Sequence, residues 1–455
     1  MSPGNTLQQG HHDANPLDGM VQARQTDTRS TDAIKSDRCP WLATFSYGWQ
    51  GLIISSSATR QWYFGWNVVI GSATLTLLTI GLRMGFGPLF LPITQDLGLS
   101  RTALSGIVAI GMLFYGLGMP VTGYLLKRTS PRRVVLLGTL INVLSIWWTV
   151  KAGTALSFAL AFGVFLSLGL ALVSPTTFTP LIMRWFVRQR GAAVFYLSTG
   201  GMAGMALVTP LLNWMVERVG WRDSLLYYGG VMALMALIVS ATVIREKTLT
   251  EAQAGALSAG RSRVTEPARD FRNTLGLPFW KIVLGMVASG LSVNLLAVHG
   301  VPMLIDHGFD ASHASIGIGL IGVSAIFGTI GLGRLSDRLP RPRLLAAVYL
   351  LRAVAFVGFL SVTSVLPLYA VGLLSGIVWA GNIALSSAIL ADLYGVKRVG
   401  VLYGWAYLAH QVAGMLSTWA GGWAYETFHT HWLSFGITAV ILAMAAIVAT
   451  RIPSR

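Results

Sequence analysis

GYLLKRTSPRR, residues 123–133, and GRLSDRLPRPR, residues 333–343, decide how this chain is read. The two stretches stand 210 residues apart, and each opens on a glycine. Leu, Arg and a final Arg recur at the same offsets: Gly123/Gly333, Leu125/Leu335, Arg128/Arg338 and Arg133/Arg343. Each stretch lies between two apolar runs of about 20 residues, the length needed to cross the hydrocarbon core of a bilayer. A short basic loop between two such runs, repeated once, predicts a membrane protein built from two related halves.

Working outward, apolar runs predict helices near 66–92, 102–126, 133–151, 155–182, 191–216, 223–244, 280–305, 313–333, 343–362, 366–390, 399–424 and 432–450. The polar, charged stretch 245–279 divides them six from six. The expected organisation is a disordered cytoplasmic tail over 1–60, a six-helix bundle over 61–244, a cytoplasmic linker over 245–279 and a second six-helix bundle over 280–455. The tail is polar, its five acids balancing five bases, and it holds the one cysteine, Cys39. Such a stretch cannot bury enough apolar surface to order itself. It carries no evident signal peptide, since no basic start leads directly into an apolar run and cleavage site.

Composition agrees. Of 455 residues, 54% are hydrophobic and 11% charged, with mean hydropathy +0.63. A soluble domain carries roughly 25% charged residues. The 51 glycines suit close helix approach in lipid. A net charge of +16 would point to nucleic acid in a soluble protein, but here the bases sit in short loops. Thirteen lie in the loops after helices 2, 4, 8 and 10, among them Lys127, Arg128, Arg184, Arg338 and Lys397. The opposite loops carry four: Arg101, Lys151, Arg218 and Arg222. The positive-inside rule then places both termini in the cytoplasm, in a multi-pass plasma or inner membrane protein. No P-loop, HExxH or GxSxG motif occurs, which argues against an enzyme.

Gly333, Asp337 and Arg338 resemble the signature of the major facilitator superfamily after its second helix of each half. Gly123 and Arg128 match it in the first half, where Lys127 stands in place of the usual Asp. The resemblance implies the all-α major facilitator fold: twelve transmembrane helices in two pseudo-symmetric six-helix bundles. It also implies a gating role for Gly123, Arg128, Gly333, Asp337 and Arg338. Within the superfamily the chain looks like the monocarboxylate transporter and oxalate:formate antiporter branch. LGLSRTALSG (residues 97–106), RWFVRQRGAAVFYLSTGGMAG (184–204), GWRDSL (220–225), VHGVPMLIDHGF (298–309) and LYGVKRVGVLYGWAYLAHQVAG (393–414) carry this likeness. It implies transport of small organic anions, with protons or by exchange.

A charge at the bilayer centre costs roughly 2.5–3.5 kcal/mol on insertion scales, so it calls for a reason. Arg83 in helix 1, His410 in helix 11 and His299 in helix 7 stand out, while Asp96, Glu217, Asp223, Asp306, Asp337, Asp392 and Glu426 all fall at helix ends or in loops. A cavity with cations and no internal carboxylate suits an anion. Arg83 could grip a carboxylate bidentately; the bland alternative is snorkelling to the headgroups. His410 falls where the antiporter resemblance places a substrate-binding lysine, and His would make that charge pH-dependent. No Arg or Lys stands around Ser324–Thr329, where related families place a cation in helix 8. Tyr115, Tyr196, Asn294, Asn382, Tyr403, Tyr407 and Gln411 are the uncharged candidates, each read more readily as an interhelical hydrogen bond than as a ligand contact, and all but Tyr403 and Gln411 are expected at the site.

The expected function is therefore secondary active transport of small mono- or dicarboxylates by alternating access, with lipid and protons as partners, in a monomer. No cofactor, metal or nucleic acid is expected. Export of drugs or other amphipathic compounds, and a transporter-like sensor without flux, stand as alternatives.

Overall fold

The computed structural model describes residues 63–186, 190–244, 276–336, 338–379 and 381–453. The expected tail and most of the expected linker lie outside these residues, as does Asp337. Helix starts where linker had been expected, at Leu277.

Among the described residues there are helices and no strands. In chain order they are α1 (Gly65–Met84), α2 (Gly87–Leu97), α3 (Arg101–Arg128), α4 (Pro131–Lys151), α5 (155–172), α6 (Pro175–Trp185), α7 (190–219) and α8 (221–242). After the linker come α9 (Leu277–Asp306), α10 (Ala311–Ser336), α11 (Arg341–Ser361), α12 (Val365–Ile377), α13 (Gly381–Tyr394), α14 (Val396–Phe428) and α15 (Trp432–Thr450). Ten stretches are long and apolar enough to cross a membrane. One of them, over 192–242, is two helices joined at Gly220, whose φ of 77° only glycine adopts readily. The 33-residue α14 is long enough to cross as well. Counted this way, the described helices accommodate the twelve expected spans.

Sequence chemistry sets the ends. Ser100 caps α3 by accepting from the Ala103 amide, and Ser130 caps α4 in the same way, with Pro131 at the first helical position. Three spans are broken. Span 1 breaks at Gly85–Phe86, span 4 at Val173–Ser174 and span 10 between Ile377 and Gly381. Broken backbone inside hydrocarbon is tolerated only where protein buries it or a cavity lies beside it.

The apolar core gathers on two sides. One cluster comes from residues 279–452 together with Met205. Two others come from residues 68–244 together with Val298. They meet where α3 packs on α14, α7 on α10 and α2 on α9. Glycine makes close approaches possible: a Cβ at Gly204 would overlap the Leu77 carbonyl oxygen, so α7 rests backbone to backbone on α1.

The two ends of this seam differ. At one end Arg101 pairs with Asp306, His431 also contacts Asp306 at 2.8 Å, and the Thr102 amide donates to Glu426 at 2.9 Å. Ser312 donates to Glu217 at 3.3 Å across the same seam. At the other end a Cβ at Gly123 or at Gly333 would meet nothing within 4 Å, and Tyr124 is half exposed.

Candidate functional site

Mid-chain between the two sides lies a cavity of about 390 Å³. All three span breaks border it: Met84 at the first, Pro175 and Thr176 at the second, Trp379 at the third. Breaking a helix there exposes backbone and aims side chains inward that a straight helix would direct along its own surface.

Five of the eight residues expected to bind substrate line this cavity: Arg83, Tyr115, Asn294, Tyr407 and His410. The Arg83 guanidinium lies 4.1 Å from the centre of the Tyr115 ring, a cation–π contact. No carboxylate pairs with Arg83 among the described residues, and no Asp or Glu lines the cavity. The Tyr407 ring stacks on His410 with centroids 5.3 Å apart and planes within 6°, and Tyr403 stacks on Tyr407. His410 Nδ1 sits 3.3 Å from Gln411 Oε1. Three polar atoms of lining residues have no protein partner: His410 Nε2, Gln411 Nε2 and Asn294 Oδ1. Unpartnered buried polar atoms are costly, and these three lie covered just behind the cavity wall.

The structure does not bring the other three to the cavity. Tyr196 is half exposed and its ring meets Trp66. Its neighbour Phe195, about 100° around the helix, takes the cavity side instead. Asn382 is fully buried and donates to Ser289. His299 is buried near the latched end, 2.8 Å from the Thr418 carbonyl, with Phe90 against its ring. Of the expected gating residues, Gly123, Arg128, Gly333 and Arg338 lie at the open end of the seam, where Arg128 stacks over Tyr124.

Sequence reasoning misses one residue altogether. Arg352, at the centre of α11, has no exposed surface. Its guanidinium donates to the Ser289 and Ser292 hydroxyls at 3.3 and 3.4 Å, and to the Val378 and Trp379 carbonyls, the first at 3.0 Å. Those carbonyls are the ones freed by the break in span 10. The arginine thus substitutes for missing backbone donors, and it positions Trp379 in the cavity wall. A lone Arg inside the apolar run 344–360 was the available signal.

Membrane-crossing helices wrapped round a cavity that holds a buried arginine, latched across one end of the seam, define a membrane carrier. Residues 72–365 and 332–455 match the Major Facilitator Superfamily, and the chain belongs to that family. Its members are transporters and not enzymes. A bacterial homolog of the human lysosomal transporter Spinster, solved in an inward-facing and occupied conformation, has the same fold, with a TM-score of 0.68, 16% identity, and coverage of 87% of this chain and 97% of that one. The uncharacterized MFS-type transporter YcxA of Bacillus subtilis is 25% identical, covering 84% of this chain and 94% of the relative. Monocarboxylate transporter 13 of Rattus norvegicus is 25% identical, covering 86% and 89%. The fujikurins efflux protein of Gibberella fujikuroi is 22% identical, covering 76% and 72%. The monocarboxylate-type relatives agree with the branch read from the loop motifs.

Proposed function

We propose that the chain is a secondary transporter of small organic anions, moved by alternating access through the cavity beside Arg83. The observation that carries this reading is an arginine with no carboxylate partner, facing a cavity that holds no acid. A permanent cation in that setting is balanced only when an anion enters. A cationic cargo would meet repulsion and no counter-charge.

The two halves, 61–244 and 280–455, rock about the cavity, with Gly123, Arg128, Gly333, Asp337 and Arg338 forming the inner gate. Loop charge, thirteen bases against four, supports cytoplasmic termini. In that orientation the Arg101–Asp306 latch is on the outer side, and the conformation is open inward. The protein works as a monomer in a cell membrane.

The test is uptake of carboxylates into proteoliposomes. Arg83→Gln removes a charge-assisted contact of about 1.5–3 kcal/mol, so uptake falls about ten- to hundredfold while the protein still reaches the membrane. Normal uptake by this variant would remove Arg83 from the site. His410 and His299 are the proposed proton-linked groups. Asn at both positions changes the pH dependence of uptake; an unchanged profile excludes them from coupling.

A further inference from the structure

We propose that the cargo is a monocarboxylate with an apolar, aromatic-sized body, rather than a dicarboxylate or a lactate-sized acid. This rests on the organic-anion reading above. It comes from how polarity is distributed round the cavity, not from its average.

The polar groups gather on spans 1, 2, 7 and 11. Arg83 and Tyr115 are in contact there. A Cβ at Gly116, next to Tyr115, would lie 4.0 Å from the Gln411 Cβ, which brings span 11 to the same corner. Asn294 Oδ1, His410 Nε2 and Gln411 Nε2, the unpartnered atoms, all belong to spans 7 and 11. This corner holds the one permanent cation of the described lining, with the Gln411 amide nitrogen among its neutral donors, the equipment for one carboxylate.

The opposite wall comes from spans 5, 8 and 10. Its large side chains are Phe195, Met202, Met205, Ile326, Trp379 and Ile383. The hydroxyls on that wall are already committed. Ser198 donates to the Val194 carbonyl at 3.1 Å, Thr199 to the Phe195 carbonyl at 3.1 Å and Thr329 to the Ala325 carbonyl at 2.7 Å. Little on that side is left to attract a second charge. Arg352 does not supply one, because it is fully buried outside the cavity lining, with both terminal guanidinium nitrogens held by Ser289, Ser292 and the Val378 and Trp379 carbonyls.

A dicarboxylate would bind one end at Arg83 and leave the other desolvated against methionine and aromatic carbon, which is strongly unfavourable. A lactate-sized acid would leave the apolar wall wet in a cavity of about 390 Å³. Ligand pockets run from roughly 300 to 1,000 Å³, so the space suits a ring plus a short acid chain. Methionine adapts to such a body and its sulfur favours ring edges.

The experiment uses purified full-length protein and four probes that share one skeleton: 3-phenylpropionate, propionate, phenylsuccinate and the neutral 3-phenylpropionamide. Binding is read by calorimetry and by thermal shift. The expected result is that 3-phenylpropionate binds at least tenfold more tightly than each of the other three. Phe195→Ala should lower its affinity severalfold and leave propionate unaffected. Propionate or phenylsuccinate binding as tightly as 3-phenylpropionate would overturn the proposal while leaving the organic-anion reading intact. The amide binding as tightly as the acid would overturn both, as would no binding by any of the acids. The amide arm needs no variant, so misfolding of a mutant cannot obscure the outcome.

Discussion

Two arginines inside the membrane have opposite tasks, and their partners distinguish them. Arg83 faces a cavity and rests on an aromatic ring, so its hydrogen-bonding capacity is available. Arg352 is spent on two hydroxyls and two carbonyls. Replacing Arg352 with Leu leaves carbonyls buried without donors, at about 1–3 kcal/mol each. The expected outcome is a clear fall in detergent melting temperature and a transporter slow in turnover, with Arg352→Lys recovering part of both. A melting temperature equal to the parent's would mean that the break in span 10 holds itself. Of the two, Arg83 was legible in the sequence, in a glycine-rich helix, whereas Arg352 was passed over. Tyr196 shows the finer limit: one residue's rotation about a helix separates the cavity from the surface, and a run of apolar residues does not fix that phase.

At the scale of elements, the spans were readable from run length and loop charge because a bilayer demands both. Their breaks were not. Gly85, Val173 and the stretch after Ile377 end helices by local backbone geometry, and only packing shows that all three ends meet one cavity. Packing also singles out particular glycines. Gly204→Val would drive a side chain into the α1 backbone, and overpacking of this kind costs about 1–3 kcal/mol. Gly230, within α8, has nothing within 4 Å of a Cβ. Gly230→Ala should therefore be neutral or slightly stabilising. Thermal unfolding of the two variants checks the pair, and equal melting temperatures would refute the close contact of α1 and α7.

At the scale of the molecule, the seam is latched at one end by Arg101, Asp306, His431 and Glu426. A latch that forms in one state and must break in the other sets the balance between them. Asp306→Asn removes the shared acceptor charge, shifting the protein toward opening at that end. A cysteine at Ser105, buried in the latch, reports it once the native Cys39 has been replaced by Ser. An impermeant maleimide should label Ser105→Cys several-fold faster in the Asp306→Asn background. Equal labelling would show that the ion pair does not control opening.

The sequence by itself determined that the chain is a membrane protein, because 54% hydrophobic residues against 11% charged ones leave lipid as the solvent, and the apolar runs of about 20 residues set the expected helix count. The repeat at Gly123 and Gly333 and the short basic loops were local signals, readable without coordinates. Only the tertiary structure decided which residues share a cavity, and which arginine is free and which is engaged. Those properties depend on helix rotation and on packing that brings residues as far apart as Arg83 and His410 to one cavity, and no pattern along the chain encodes them.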